Sequence, residues 1–242
     1  MRFICLILLS FFPIMGFAQQ TITFPSSDGL SVTASLYVQD KSFPFIILFH
    51  QANYSRGEYI ETAPRLMKLG YNCLAVDLRS GKEVNFIQNE TATKAREKNM
   101  ATGYLDAEKD MLAAIEYLKQ SNKKGKFILF GSSYSASLAL KIAKNNPSVS
   151  AVVAFSPGEY FQPQFFVKKQ IANLDKPLFI ACTSNEYPFV KEMLSDVSDN
   201  LITWWTPSKG AGTHGSSALW QSNAGNGECW LSLLMFFKNL KK

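Results

Sequence analysis

Three side chains in this 242-residue sequence have the types for nucleophilic acyl transfer: Ser133, Glu186 and His214, in that order along the chain. A serine hydroxyl is a weak nucleophile and needs a base beside it. The chain has two histidines, His50 and His214. His214 stands in GAGTHGSSAL, a glycine-rich polar stretch and not an apolar face, which makes it the candidate base. Imidazole in turn needs an acceptor that fixes its tautomer and supports the imidazolium. Glu186 follows the apolar run PLFIAC within a few residues, whereas Asp175 and Asp196 are not placed just past a strand. The competing reading of Glu186 is a solvent-facing carboxylate at a helix start, since Pro188 follows closely.

Ser133 lies in the frame Gly131-Ser132-Ser133-Tyr134-Ser135. A nucleophile on a sharp strand-to-helix turn usually sits in Gly-x-Ser-x-Gly, because the turn is tight and the helix packs close to the strand. Serine replaces the second glycine here. Ser135 and the following Ala136 are small, and the unusual dihedrals belong to Ser133, so the frame reads as an elbow with a tolerated substitution. Ser132 is the rival nucleophile by adjacency; it lacks the frame and is expected to point into neighbouring structure. An oxyanion hole takes one N–H from the residue after the nucleophile and a second from a loop after an earlier strand. Those positions are Tyr134 and, in His50-Gln51-Ala52, the Ala52 N–H, with Gln51 as the alternative. Gln51 stands where glycine is usual, and His50 reads as a loop-ordering residue. Glu159 and Tyr160 follow another strand end and are expected to line the substrate pocket. Phe161, Phe165 and Phe166 read equally as an apolar wall or as core.

These residues need a scaffold that brings strand ends together. TITF (21–24) and VTASLYV (32–38) read as an antiparallel pair. FPFIILFH (43–50), YNCLAVDL (71–78), KFILFG (126–131), AVVAFS (151–156), PLFIAC (177–182) and LITWWT (201–206) read as further strands, several of them continuous apolar runs suited to burial on both faces. Helices are expected over 55–69, 104–122, 134–145, around 188–195 and from about 217 to 240. Ser55 and Glu58 have capping-box spacing at the first of these. Leu105, Met111, Leu112, Ile115 and Leu118 form the expected apolar face of the second. Residues 79–103 form a long polar stretch without clear periodicity, a length often functional. Asp77 and Arg79 are expected to pair and tie down its start. The series implies an α/β fold: one mostly parallel sheet with an antiparallel start and helices on both faces. Ligands in such sheets bind beyond the carboxyl ends of the strands, where Ser133, Glu186 and His214 fall.

From about residue 21 to its end the chain resembles the α/β-hydrolases, in particular the compact dienelactone-hydrolase-like type with almost no cap. The resemblance is carried by LFHQANYSRGEY, LAVDLRSG, GYLDAEKD, SPGEYF and HGSSAL. The group it points to consists of secreted or periplasmic bacterial enzymes. Enzymes of this fold cleave esters, lactones, thioesters or short peptides through a serine or cysteine. The resemblance places the triad acid at Glu186, usually aspartate in the family. It implies an acyl-enzyme on Ser133, an open site for a small ester-like substrate, and no metal or organic cofactor. Dienelactone hydrolases proper use cysteine where this chain has Ser133. A binding or scaffold protein that kept the fold without turnover, and a short-peptide peptidase, are the alternative readings.

Composition agrees with one α/β domain. Hydrophobic residues make up 47% of the chain and charged residues 18%, enough for a large core. The net charge of +6 is spread along the chain, with Lys119, Lys123, Lys124 and Lys126 about one helix end and Lys238, Lys241 and Lys242 at the terminus. Such scatter reads as solvated surface and not as a nucleic-acid groove. The opening MRFICLILLSFFPIMGFAQQ has a basic residue, an apolar run and small residues before a cut between Ala18 and Gln19. Residues 1–18 are therefore expected to be a cleaved signal and 19–242 a single domain, periplasmic or secreted, with no stable membrane insertion. The cut would remove Cys5 and leave Cys73, Cys182 and Cys229, an odd set that reads as structural.

Overall fold

The computed structural model describes residues 18–121 and 125–240, so the expected signal lies outside the described residues except for Ala18. Ten strands and seven helices follow in order: β1 (Ala18–Pro25), β2 (Ser31–Val38), β3 (Phe45–Phe49), α1 (Thr62–Lys68), β4 (Asn72–Val76), β5 (Glu83–Val84), β6 (Ile87–Gln88), α2 (Glu90–Glu97), α3 (Glu108–Ser121), β7 (Phe127–Ser132), α4 (Tyr134–Lys144), β8 (Val149–Phe155), α5 (Val167–Ile171), β9 (Leu178–Ala181), α6 (Tyr187–Met193), β10 (Ile202–Trp205) and α7 (Asn226–Leu240). Eight strands form one sheet in the order β1-β2-β4-β3-β7-β8-β9-β10, and β5 and β6 form a separate hairpin. Only β2 runs against its neighbours; β4, β3, β7, β8, β9 and β10 pair in parallel. This is the α/β arrangement expected from the alternation of apolar runs and amphipathic segments.

The continuous apolar strands are explained by two cores, one on each face of the sheet. Ile47 and Phe49 of β3 and Leu129 of β7 pack with Met111, Ile115 and Leu118 of α3 and with Leu138 of α4. Ile46, Leu48, Ile128 and Phe130 point the other way, onto Leu66 and Met67 of α1 and onto Leu233, Phe236 and Phe237 of α7. Successive side chains alternate between faces, so a strand covered on both sides must be apolar throughout. Cys73, Cys182 and Cys229 are buried free thiols.

Several local expectations are corrected. The helix expected over 55–69 is a 3-10 turn, Arg56–Tyr59, followed by α1. Ser55 does cap that turn by accepting from Gly57 N–H at 3.0 Å, but Glu58 does not close a capping box: its carboxylate goes to Gln51 and Ser216. Leu105 and Leu112 do not join the apolar face of α3; they are 40% and 44% exposed, because α3 starts only at Glu108 and Leu112 faces outward. The final helix begins at Asn226, with a separate 3-10 turn at Ser216–Leu219.

The polar stretch 79–103 contains the β5–β6 hairpin and α2, capped by Asn89 on Ala92 N–H at 2.8 Å. Asp77 and Arg79 do not pair with each other. Asp77 accepts from Arg56 Nη1 at 2.5 Å and from Glu90 N–H at 2.9 Å. Arg79, 1% exposed, spans Asp110 at 2.7 Å and Asp28 at 2.7 Å. A buried guanidinium needs acceptors around its whole fork, and one neighbour two residues away in a turn does not supply them.

Candidate active site

Ser133 occupies the turn between β7 and α4 with φ 60° and ψ −126°. A non-glycine residue there costs roughly 1–3 kcal/mol and is held only by surrounding structure. The Ser133 N–H donates to Phe155 O at 2.8 Å, which pins the turn to β8. Gly131 lets α4 approach: a Cβ at that position would lie 2.5 Å from Ala136 Cα and 2.6 Å from Ala136 N. Ser132 points inward as expected, is fully buried, and its hydroxyl accepts from Ser216 N–H at 2.9 Å.

Glu186 sits at the N-terminal boundary of α6 but makes no cap with its side chain. It turns to the site instead. Oε1 meets His214 Nδ1 at 2.5 Å, and Oε2 accepts from the Ser156 hydroxyl at 2.7 Å and Thr183 N–H at 2.9 Å. Burial acts to raise its pKa, but the hydrogen bonds from His214, Thr183 and Ser156 outweigh it and hold the carboxyl down at about 2. An ionised acceptor at Nδ1 keeps the ring proton there and leaves Nε2 as a lone pair. Ser133 is 6% exposed, and the Tyr160 hydroxyl, which donates to Ser156 O at 2.9 Å, lies near it. No hydrogen bond joins Ser133 to His214 among the described residues. Such contacts are often long without substrate and tighten when it binds.

Sequence reasoning missed Ser156. Its φ is 48°, its N–H donates to Ala181 O at 2.7 Å, and its hydroxyl accepts from Gly215 N–H at 3.0 Å while donating to Glu186. It joins β8, the acid loop and the histidine loop. The serine after the apolar run of β8 was the available signal, but its partners come from distant segments.

The loop after β3 separates the two oxyanion candidates. Gln51 N–H is committed to Glu58 Oε2 at 2.7 Å, which removes Gln51 as the backbone donor. Ala52 N–H has no partner among the described residues. Tyr134 N–H is the first of α4, where helical N–H groups lack intrahelical acceptors. His50 is fully buried and orders the loop: Nε2 accepts from Leu78 N–H at 2.8 Å, so Nδ1 carries the proton and donates to Gln51 O at 2.8 Å. Burial pushes its pKa down to about 4, leaving it neutral.

The two expected pocket residues divide. Tyr160 borders Ser133, as above. Glu159 uses both oxygens to cap α5, accepting from Val167 N–H at 2.5 Å and Lys168 N–H at 2.9 Å. It also lines a groove of about 620 Å³ with Phe166, Phe189 and Met193. Phe161 is core, stacked on Phe165 at 5.0 Å, whereas Phe166 is 45% exposed.

The fold and this cluster at the strand ends define the protein as an α/β-hydrolase. The sequence pattern of the Dienelactone hydrolase family matches residues 32–204, and the chain belongs to that family. Solved structures with the same fold include an esterase from Pyrococcus furiosus, 19% identical, covering 92% of this chain and 93% of that one at a TM-score of 0.66. A dienelactone hydrolase from Anabaena variabilis is 15% identical and covers 92% and 98% at 0.68. An esterase domain from Rhodothermus marinus is 14% identical and covers 93% and 98% at 0.63. A comparison with curated proteins gave no match. Membership supports an ester or lactone hydrolase acting on a small molecule.

Proposed function

We propose that the protein is a serine hydrolase that cleaves a carboxylic ester, lactone or thioester through an acyl-enzyme on Ser133. The observation that carries this reading is the 2.5 Å contact between Glu186 Oε1 and His214 Nδ1 beside a serine held at positive φ. Ser133 Oγ attacks the carbonyl carbon and its proton passes to His214 Nε2. Glu186 keeps the ring oriented and stabilises the imidazolium. Tyr134 and Ala52 N–H groups receive the developing oxyanion. His214 then protonates the leaving group, and water attacks the acyl-enzyme with His214 again as base. Gly158, next to the Tyr160 ring, also lines the groove along Phe166 and Phe189, a surface suited to an apolar substituent.

Intact mass after exposure to a fluorophosphonate tests this reading. One adduct on wild type and none on folded Ser133→Ala supports it, and turnover of a generic acetyl ester follows. No adduct on folded wild type sinks it in favour of a binding protein. Cleavage of short peptides without ester turnover favours a peptidase.

The location is also a proposal. Export with a cut between Ala18 and Gln19 would preserve β1 from Gln19 onward, whose Cα partner is Tyr37. Among the described residues no helix is long and apolar enough to cross a membrane. A mature N-terminus at Gln19 in an extracytoplasmic fraction supports export, and full-length protein in the cytoplasm argues against it.

A further inference from the structure

The triad does not use the most deeply buried acid beside it. Glu58, in the 3-10 turn after β3, is fully buried and forms no ion pair among the described residues. Oε2 accepts from Gln51 N–H at 2.7 Å and Oε1 from the Ser216 hydroxyl at 2.5 Å. The Ser132 hydroxyl, which accepts from Ser216 N–H at 2.9 Å, lies on the same side of the site. Glu58 O accepts from Trp220 Nε1–H at 2.8 Å. Each of these three residues is a close chain neighbour of a working position: Gln51 precedes Ala52, Ser132 precedes Ser133, and Ser216 follows His214 by one glycine.

A buried carboxylate without a cation is costly, and its cost falls when a positive charge appears nearby. The cation that can appear here is the imidazolium of His214, whose charge favours ionised Glu58. Among the described residues, Tyr59 beside it and Tyr134 from α4 also interact with Glu58, and burial raises both phenols so that they stay neutral. His50, next to Gln51, is neutral above about 4.

We propose that Glu58 is a positioning residue for the triad: its carboxyl clamps the Gln51 loop to Ser216 of the His214 loop, which is itself bonded to the nucleophile strand at Ser132, and its charge favours the imidazolium formed when Ser133 gives up its proton. The inference rests on the serine-hydrolase reading. Burial pushes the Glu58 pKa up to about 7, against the hydrogen bonds from Ser216 and Gln51. Ionisation of Glu58 and deprotonation of His214 are then both required for full reactivity on the acid side.

The test is the second-order rate of fluorophosphonate labelling against pH for wild type, Glu58→Gln and Glu58→Leu, with thermal unfolding as the folding check. Wild type is expected to lose reactivity toward acid with a two-proton dependence. Glu58→Gln, nearly the same shape without the charge, is expected to show a one-proton dependence and a plateau about tenfold lower. Glu58→Leu also releases the Gln51 loop and is expected to fall about a hundredfold. Folded Glu58→Gln with the wild-type rate and pH dependence overturns the inference, as does a lowered plateau that keeps the two-proton dependence. If Glu58→Gln does not fold, wild-type labelling by Glu58→Leu overturns it equally. Absence of labelling in wild type overturns the serine-hydrolase reading and this inference with it.

Discussion

The Ser135 hydroxyl lies 2.8 Å from Phe49 O, joining the first turn of α4 to the end of β3 directly behind the nucleophile. The same oxygen accepts from Ser132 N–H at 3.0 Å and lies 2.9 Å from Ser132 O. A hydroxyl has one proton, so it donates to one carbonyl while accepting from the N–H. Ser135 does not adopt positive φ, so the usual glycine is replaced without backbone strain. The residue that breaks the elbow frame is one of the groups that hold the elbow.

Restoring the common frame should therefore weaken this protein. Ser135→Gly and Ser135→Ala both leave Ser132 N–H without the hydroxyl acceptor that it has now. A buried donor left unpaired costs about 1–3 kcal/mol. Chemical denaturation should show both variants less stable than wild type by that order. A Gly variant as stable as wild type would show that the hydroxyl contributes nothing to the turn.

Glu186→Gln should lower kcat sharply with little change in KM. A neutral amide at this place no longer enforces the Nδ1–H tautomer, and the comparable triad change costs about 10⁴-fold. The same variant alters acid stability. An unfolded glutamate titrates near its ordinary 4.5, while the folded one stays ionised to about 2. The unfolded state thus takes the proton first, and this contribution to stability, present above 4.5, is lost as pH falls through 2. Glu186→Gln should lack that loss; identical acid denaturation curves would contradict the assignment of Glu186 as an ionised, hydrogen-bonded acid.

The sheet was legible in the sequence because strands covered on both faces cannot avoid continuous apolar runs. Ser133 and Glu186 stood out as candidates because each closely follows such a run, and His214 because it is one of two histidines and lies in a glycine-rich polar loop. The segment 79–103 was not. Its helix α2 buries Thr91, Ala92 and Ala95, a face of small residues with no large apolar period. It is anchored by polar contacts such as Thr33 N–H to Thr91 Oγ1 at 2.8 Å. Glu58 was misread for a related reason. Its spacing from Ser55 gave a plausible local partner, while its real partners come from a preceding loop and from Ser216, far along the chain.

Gly215 compensates for the glycine absent at position 51. It has φ 74°, and a Cβ there would lie 2.4 Å from Gln51 Oε1 and 2.7 Å from Ser132 Oγ. The longer Gln51 side chain fits because Gly215 has none. Gly215→Ala is therefore expected to displace both the Gln51 loop and the adjacent His214. Activity should fall by about 10²-fold or more, since small misplacements of catalytic groups are costly, and the melting temperature should fall as well. Gln51→Gly in the same background should recover part of the activity by removing the clash. Wild-type kinetics in Gly215→Ala would refute the close packing of these two loops.

His50 and Glu58 should pull stability in opposite directions with pH. Unfolded His50 binds a proton near its ordinary 6.5, whereas the folded residue resists protonation down to about 4. Between those values the unfolded state holds more protons, so stability falls as pH drops. Folded Glu58 keeps its proton up to about 7, whereas the unfolded residue loses it near 4.5. Its contribution is present below 4.5 and is lost as pH rises through 7. Asp77, raised to about 6 mainly by burial, acts in the same direction as Glu58. In wild type the His50 and Glu58 slopes oppose one another between 4.5 and 6.5, with Asp77 adding to the Glu58 side up to about 6. Glu58→Gln should therefore gain stability with rising pH relative to wild type, and His50→Gln should lose it. Each difference is expected to approach about 1.4 kcal/mol per pH unit, the limit for one proton. Denaturant unfolding of the three proteins across this range reads the slopes directly. Parallel curves would mean that neither group is buried in the protonation state assigned to it.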